Sequence, residues 1–305
     1  MTPTVSAPMP TWRIWFLATR PWSLTISVIP ILLAFAMAWE YGEVSIPYGL
    51  LMLLCSVATH IACNFTNDYF DDASGVDLVQ NEGQGRMLQD GHLTQRDLRT
   101  GMIVSFAMAL IFGIPIIARL GWPGLVFALI GGGVAFLYTG GPWPLAYNRM
   151  GEIGVFTAMG LVMVGGAFYV HTGTVTAVAW VISIGVGLYA AAILHANNMR
   201  DIEVDAMHNK RTLASTFGWD RGVQEYAVLL LAPIVLVVGL VLFSRDYWLL
   251  LAVLLVIPSA TAAIRHMRSA GEGNLTSAIV GMSTKLHMRF GLLAMIALII
   301  TGFIS

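Results

Sequence analysis

The sequence predicts an all-α, polytopic membrane protein, and three observations predict it. Hydrophobic residues make up 57% of the chain and charged residues only 11%, where a soluble domain carries about 25% charged. Mean hydropathy is +0.76. The apolar residues gather in nine runs, near 14–39, 48–68, 101–119, 123–138, 153–170, 175–199, 224–243, 247–264 and 288–304. A membrane-crossing helix needs about 20 residues, so each run is read as one span.

The first run is approached through Arg20-Pro21, and Pro30 inside it removes one helical hydrogen bond, so a kink is expected there. No Lys or Arg occurs in the first twelve residues and no small-residue cleavage site follows the run. That pattern predicts a retained first span and not a removed leader. The second run carries Cys55 and Cys63, eight residues apart; without a CxxC pairing they read as small core residues. Gly131-Gly132-Gly133, Gly185 and Gly187 fall inside spans, where small residues let helices approach.

Of the sixteen Lys and Arg residues, all but Arg119 and Arg245 belong to the N-terminal segment or the connections after spans 2, 4, 6 and 8. Positive charge marks the cytoplasmic side, so the N-terminus is expected there and the C-terminus outside. Only Glu40, Glu43 and Asp246 among the acids fall on the far side. Those cytoplasmic connections, roughly 73–100, 139–152, 200–223 and 265–287, are long enough to read as ordered functional caps. A net charge of −1 and the lack of basic-aromatic runs give no sign of nucleic-acid binding, and nothing points to an obligate protein partner.

Carboxylates crowd the end of the second run: Asn64-Phe65-Thr66-Asn67-Asp68-Tyr69-Phe70-Asp71-Asp72, with Asp77 beyond. Ionised groups beside hydrocarbon are costly, so they read as functional. If the helix continues, Asn64, Asn67, Asp68 and Asp71 share one face. Like charges that close need a counter-ion, and Mg²⁺ takes carboxylate oxygens together with waters and substrate phosphates. The end of the sixth run repeats the theme, with Asn197, Asp201 and Asp205 at four-residue spacing, again one helical face. The alternative is that both are solvated helix ends, but acids at a helix C-terminus oppose its dipole. Two metal sites flanking a diphosphate is the better reading.

Cations stand ready for that anion: Arg86, Lys210 and Arg211 follow the acidic stretches, and Arg200 lies inside the second. Arg suits bidentate phosphate contact and Lys acts as a point charge; Arg211 and Arg221 read better as surface charges. The rigid stretch from Tyr138 to Arg149 brings Tyr138 and Tyr147 to the same depth. They are either interfacial belt residues or ring faces for a passing carbocation. His60 and His195 read as satisfied core histidines. An EF-hand reading of Asp71 to Glu82 fails, because Ala73 and Gly75 fill ligand positions.

Asn67-Asp68-Tyr69-Phe70-Asp71 with Asp77, Asn197-Asn198-Met199-Arg200-Asp201-Ile202-Glu203-Val204-Asp205 and Lys210-Arg211-Thr212-Leu213-Ala214 together resemble the UbiA superfamily of intramembrane aromatic prenyltransferases. Arg20-Pro21-Trp22-Ser23-Leu24, Tyr138-Thr139-Gly140-Gly141-Pro142 with Gly151-Glu152, and Leu286-His287-Met288-Arg289-Phe290-Gly291 are most similar to the branch acting on 1,4-dihydroxy-2-naphthoate. Asp72, Asn209 before Lys210, Arg289 and the segment 87–92 depart from the usual pattern.

The resemblance implies one domain over residues 1–305 (first Asp motif 64–77, second 197–205) with nine helices around a central cavity. It implies Mg²⁺ on Asp68, Asp71, Asp201 and Asp205, with Lys210 beside them. Asn64, Asn67, Asp77, Arg86, Tyr138, Tyr147, Asn197, Arg200 and Arg20 would contact substrate, Arg20 on an acceptor carboxylate. The implied substrates are a polyprenyl diphosphate and an aromatic acceptor, joined with loss of CO₂ and diphosphate in menaquinone biosynthesis. Other acceptors in the superfamily are 4-hydroxybenzoate, homogentisate and porphyrins. The implied location is a bacterial inner membrane with the active site facing the cytoplasm. A transporter is the reading from another class, but the acids cluster at one mouth and not at mid-span.

Overall fold

The computed structural model describes residues 9–74 and 87–304. They form helices and turns, and no sheet occurs among the described residues. Asn148 and Arg211 make an isolated bridge. The first half comprises α1 (Thr11–Ala18), α2 (Thr25–Glu40), α3 (Ile46–Ser74), α4 (Gln95–Leu120) and α5 (Trp122–Leu137). The next crossing, Gly151–Thr172, is composite: α6 (Gly151–Val155), a π-helical run Phe156–Gly166 and α7 (Ala167–Thr172). Then come α8 (Ala177–Arg200), the short α9 (Ile202–Met207) and α10 (Leu213–Phe217), and α11 (Trp219–Phe243). A 3₁₀ winding, Arg245–Val256, leads into α12 (Ile257–Ala270), and α13 (Ala278–Ile304) ends the fold.

Among the described residues, seven helices are long and apolar enough to cross a membrane, which makes the chain an integral, multi-pass membrane protein. The helices α2 and α5 are apolar but only 16 residues long, about 24 Å at 1.5 Å per residue. Exposed apolar side chains such as Ile103, Leu110 and Ile114 on α4 and Val235 and Leu242 on α11 cover the outer surface. In water such a surface would aggregate; in lipid it is solvated.

Three boundaries differ from the sequence reading. The run 14–39 is not one helix: α1 ends at Ala18, and Arg20 adopts φ +53°. The residue before a proline is excluded from ordinary helical geometry, so Arg20-Pro21 forms a corner, whereas Pro30 sits inside α2 without ending it. The helix α8 stops at Arg200, and Asp201 (φ −99°, ψ 15°) is a joint leading into α9, so Asn197, Asp201 and Asp205 do not share one continuous helix. At the other end, α13 begins ten residues before its apolar run. Its early polar residues bond within the helix, Ser283 Oγ donating to the Ile279 carbonyl (2.9 Å) and Thr284 Oγ1 to that of Val280 (2.9 Å).

Packing is uneven. The helices α2, α8, α11 and α13 interlock around Leu33, Tyr189, Tyr226, Leu230 and Phe290, all fully buried. On the other side of α8 the π-helical run comes so close that a Cβ on Gly160 would lie 2.4 Å from the Ser183 carbonyl oxygen; only glycine fits that approach. By contrast α3, α4 and α5 stand away from α8, and the space between them is a cavity.

Candidate active site

The cavity has a volume of about 1200 Å³. One end is polar, lined by Arg20, Asn64, Asn67, Asp68, Asp71, Asn197, Arg200 and Lys210. The rest is mostly apolar, with Lys285 of α13 among its lining, and runs along α3 from Asp71 to Met52, about 28 Å of helix. It reaches Leu120, Phe127 and Val170 at its far end.

The first acidic face is built as its spacing predicts. An unbroken α3 carries Asn64, Asn67, Asp68 and Asp71, with Asn64 and Asp68 almost fully buried. Arg20 reaches Asp68 from the corner between α1 and α2 in an ion pair. That corner is tied down by Asn64, whose Nδ2 donates to the Thr19 carbonyl (3.0 Å) and to Ser23 Oγ (3.3 Å). Tyr147 Oη donates to Asp71 Oδ1 at 2.8 Å, and Thr139 Oγ1 to Asn67 Oδ1 at 2.9 Å. Asp72 bonds Gln95 at the start of α4 and so faces away from the cavity. Asp77 and Arg86 lie outside the described residues.

The second face is assembled across the joint. Asp201 receives Arg200 Nε at 2.7 Å and Nη2 at 2.5 Å, and Asn197 Nδ2 lies 3.3 Å away. Arg200 Nη1 also donates to Ser277 Oγ, just ahead of α13 (3.0 Å). Asp205 is fully buried and paired with Lys210 Nζ at 3.2 Å. Asn209 (φ +56°) turns the chain so that the Lys210 N–H donates to the Asp205 carbonyl (2.9 Å). Asparagine tolerates that left-handed geometry where most residues do not. Burial pushes the Asp205 carboxyl up to about 6 although Lys210 pulls the other way. Burial draws the Lys210 ammonium down, but Asp205, Asp71 and Asp201 outweigh it and its net shift is upward.

The walls meet through the connecting loops. The Arg149 N–H donates to the Arg211 carbonyl (2.8 Å) and the Arg211 N–H to that of Tyr147 (3.3 Å). That bridge sets the Lys210 ammonium 5.9 Å from the Tyr147 ring centre. Tyr138 lines the cavity directly. Arg211 is exposed, as expected of a surface charge.

The residues fit a divalent cation. Aspartate and amide oxygens are hard donors that suit Mg²⁺. Asp205 Oδ2 is buried and has no hydrogen-bond partner among the described residues, a cost that a cation would relieve. No three acidic, thiol or imidazole groups among the described residues gather around one point. Asp68 and Asp71 line the cavity, whereas Asp201 and Asp205 stand behind Arg200 and Lys210, which line it; ions held between them would take remaining ligands from phosphate oxygens, as Mg²⁺ favours.

His60 and His195 are both satisfied. His60 contacts Ser27 Oγ through Nδ1 (2.6 Å) and Ser23 Oγ through Nε2 (3.4 Å). His195 spans Glu152 Oε1 (3.3 Å) and the Gly222 carbonyl (2.9 Å), and Asn198 Nδ2 donates to the same Glu152 oxygen (3.0 Å). This Glu152–His195–Asn198 network joins α6, α8 and α11, and Asn198 carries it to the cavity lining. Only residues far apart in sequence create it, so spacing gave no sign of it. Cys55 and Cys63 are free thiols.

A polar mouth of aspartates and cations thus opens into a largely apolar bore inside a helical membrane bundle. The UbiA prenyltransferase family model matches residues 27–284, and the chain belongs to that family. The 1,4-dihydroxy-2-naphthoate octaprenyltransferase of Bacillus subtilis (strain 168) is 31% identical over 286 residues, covering 93% of this chain and 92% of that one. Its counterpart of the same description in Mycobacterium tuberculosis (strain ATCC 25618 / H37Rv) is 33% identical over 263 residues, covering 85% and 87%. A UbiA homolog from Archaeoglobus fulgidus bound to GPP and Mg²⁺ shares the fold, with a TM-score of 0.69 at 17% identity over 94% of this chain and 99% of that one.

Proposed function

We propose that the chain transfers a polyprenyl group from polyprenyl diphosphate to 1,4-dihydroxy-2-naphthoate, releasing CO₂ and diphosphate and giving the demethylmenaquinone skeleton in its hydroquinone form. One observation carries the reading: carboxylates and cations crowd one end of a single cavity whose remaining length is mostly apolar. The named activity of relatives at 31% and 33% identity supports the acceptor. The two shorter apolar helices would complete nine spans, with the N-terminus and the polar mouth on the cytoplasmic side of a bacterial inner membrane.

Asp68, Asp71, Asp201 and Asp205 would hold Mg²⁺, which when bound supplies Lewis-acid neutralisation of the diphosphate. Arg200 and Lys210, now paired with aspartates, would turn to the diphosphate oxygens and offset the charge that grows as the allylic C–O bond breaks. The bond's electron pair leaves with the diphosphate. The apolar bore keeps water from the allylic cation, and the Tyr138 ring face would stabilise it. The electron-rich ring then forms the new C–C bond at the carbon bearing the carboxylate. The bond between that ring carbon and the carboxylate then breaks, CO₂ leaves uncharged, and the pair of electrons from the broken bond returns to the ring.

The test is to offer membranes containing the protein a labelled polyprenyl diphosphate with 1,4-dihydroxy-2-naphthoate, 4-hydroxybenzoate or homogentisate, with and without EDTA. The expected result is a decarboxylated naphthol product by mass spectrometry, abolished by EDTA and restored by Mg²⁺. Transfer to a different acceptor, or turnover in EDTA, would overturn the acceptor or the metal respectively.

A further inference from the structure

The cavity holds a cation that the diphosphate chemistry leaves unused. Lys285 lines it from α13 together with Gly281 and Met288, and steps of four and three residues put these on one side of the helix. The other cations lining the cavity among the described residues are already engaged, Arg20 by Asp68, Arg200 by Asp201 and Lys210 by Asp205. No carboxylate among the described residues pairs with Lys285. Lys285 lies in the polar start of α13, ahead of its apolar run, and is exposed where it lines the cavity, so its ammonium can meet an anionic ligand there.

Its position suits a second substrate. Ser277, bonded to Arg200, stands just before α13, and Lys285 is seven residues past the first residue of that helix, so its backbone lies about 10 Å deeper in the bundle. Helical side chains lean toward their helix's N-terminus, and α13 starts at the Arg200 end. The ammonium group therefore leans back toward the diphosphate level. On the way it passes Gly281, where an added Cβ would meet nothing within 4 Å, so the wall is open beside it.

Resting on the prenyl-transfer reading above, we infer that Lys285 is the counter-ion for the ring carboxylate of the aromatic acceptor. Arg20, the guanidinium first assigned that task, is held by Asp68 at the mouth. The ion pair orients the carboxylate-bearing carbon toward the allylic carbon. That negative charge disappears when the C–C bond breaks and CO₂ leaves with no charge. The pair is thus strongest before reaction, and losing it raises acceptor KM more than it lowers kcat.

The experiment compares wild type, Lys285→Met and Lys285→Arg with 1,4-dihydroxy-2-naphthoate and with 1,4-dihydroxynaphthalene, which lacks the carboxyl group. One charge-assisted contact corresponds to roughly a 10- to 100-fold change in affinity. Lys285→Met is expected to raise KM for the naphthoate by that factor, with KM for polyprenyl diphosphate and for the carboxyl-free ring moving less than about twofold. Lys285→Arg restores most of the loss. An unchanged naphthoate KM, the result if Lys285 only reaches for lipid headgroups, overturns the inference, and so does an equal rise for both rings. If wild type uses 4-hydroxybenzoate and not the naphthoate, the acceptor reading fails separately, and the same comparison is run with 4-hydroxybenzoate against phenol.

Discussion

The two acidic walls carry the same residue types on different backbones. On α3, Asp68 and Asp71 sit on an uninterrupted helix, and the cation that pairs with Asp68 comes from Arg20, 48 residues away. On the opposite wall Asp201 occupies a joint between two helices, and its cation is the preceding residue, Arg200. Asp205 takes Lys210, five residues on. One wall is thus a rigid face clamped by a distant strap, and the other a self-contained loop that neutralises itself. The difference separates two jobs: the helix fixes position, while the loop can exchange its own pairs for a ligand.

The largest expected effects test whether both walls are needed. Asp68→Ala and Asp205→Ala should each lower turnover by about 10²–10³-fold or more, the scale for losing a preorganised electrostatic contact. The two should differ in stability. Removing Asp205 strands Lys210 in a buried site, and breaking such a pair costs about 3–5 kcal/mol. Removing Asp68 leaves Arg20 with solvent within reach, because its side chain is 30% exposed. Thermal unfolding in detergent checks this: Asp205→Ala melts lower than Asp68→Ala. Equal melting would erase the distinction between the walls.

A double variant sharpens the same point. Asp205→Asn with Lys210→Met removes both charges, and replacing a buried pair by neutral residues is often close to neutral for stability. Melting should recover toward wild type while activity stays absent. Recovery of neither would mean that the loop's fold depends on the pair itself.

The first wall was legible because its chemistry follows helical period: four polar residues at i, i+3, i+4 and i+7 of a continuous helix. The second was legible in composition but not in geometry. Four-residue spacing suggests one face, yet α8 ends at Arg200 and the face is rebuilt after a turn. Arg20 was visible as a residue, but its partner was not, because nothing local encodes a contact across 48 positions. Lys285 was hidden for another reason. Its neighbours Ser283 and Thr284 read as loop, and hydrogen bonds to the helix's own carbonyls allow them inside α13. The Glu152–His195–Asn198 network joins three helices, and pairings of that kind emerge only when the bundle packs.

Next in size is the strap. Arg20→Lys keeps the charge but loses the planar fork. The loss of a charge-assisted contact predicts roughly a tenfold fall in kcat/KM, read with saturating acceptor and varied polyprenyl diphosphate. The self-contained wall offers the control. Arg200 donates two bonds to its own neighbour, so Arg200→Lys should disturb Asp201 locally and leave melting unchanged. If Arg20→Lys proves silent and Arg200→Lys severe, the rigid and adaptable walls have been assigned the wrong way round.

The smallest effect belongs to Tyr147, which touches both walls at once. Its hydroxyl donates to Asp71 at 2.8 Å while Lys210 stands 5.9 Å from its ring centre. Tyr147→Phe keeps the ring face and removes one hydrogen bond, worth about 0.5–1.5 kcal/mol. Turnover should therefore fall only about two- to tenfold, and the Mg²⁺ concentration for half-maximal activity should shift with Asp71. Tyr147→Ala removes the ring as well and exposes Lys210, so its loss should exceed that of the phenylalanine variant. If the two variants behave alike, the hydroxyl is the whole contribution and the walls communicate through Asp71. A phenylalanine variant equal to wild type leaves the ring over Lys210 as the link between them.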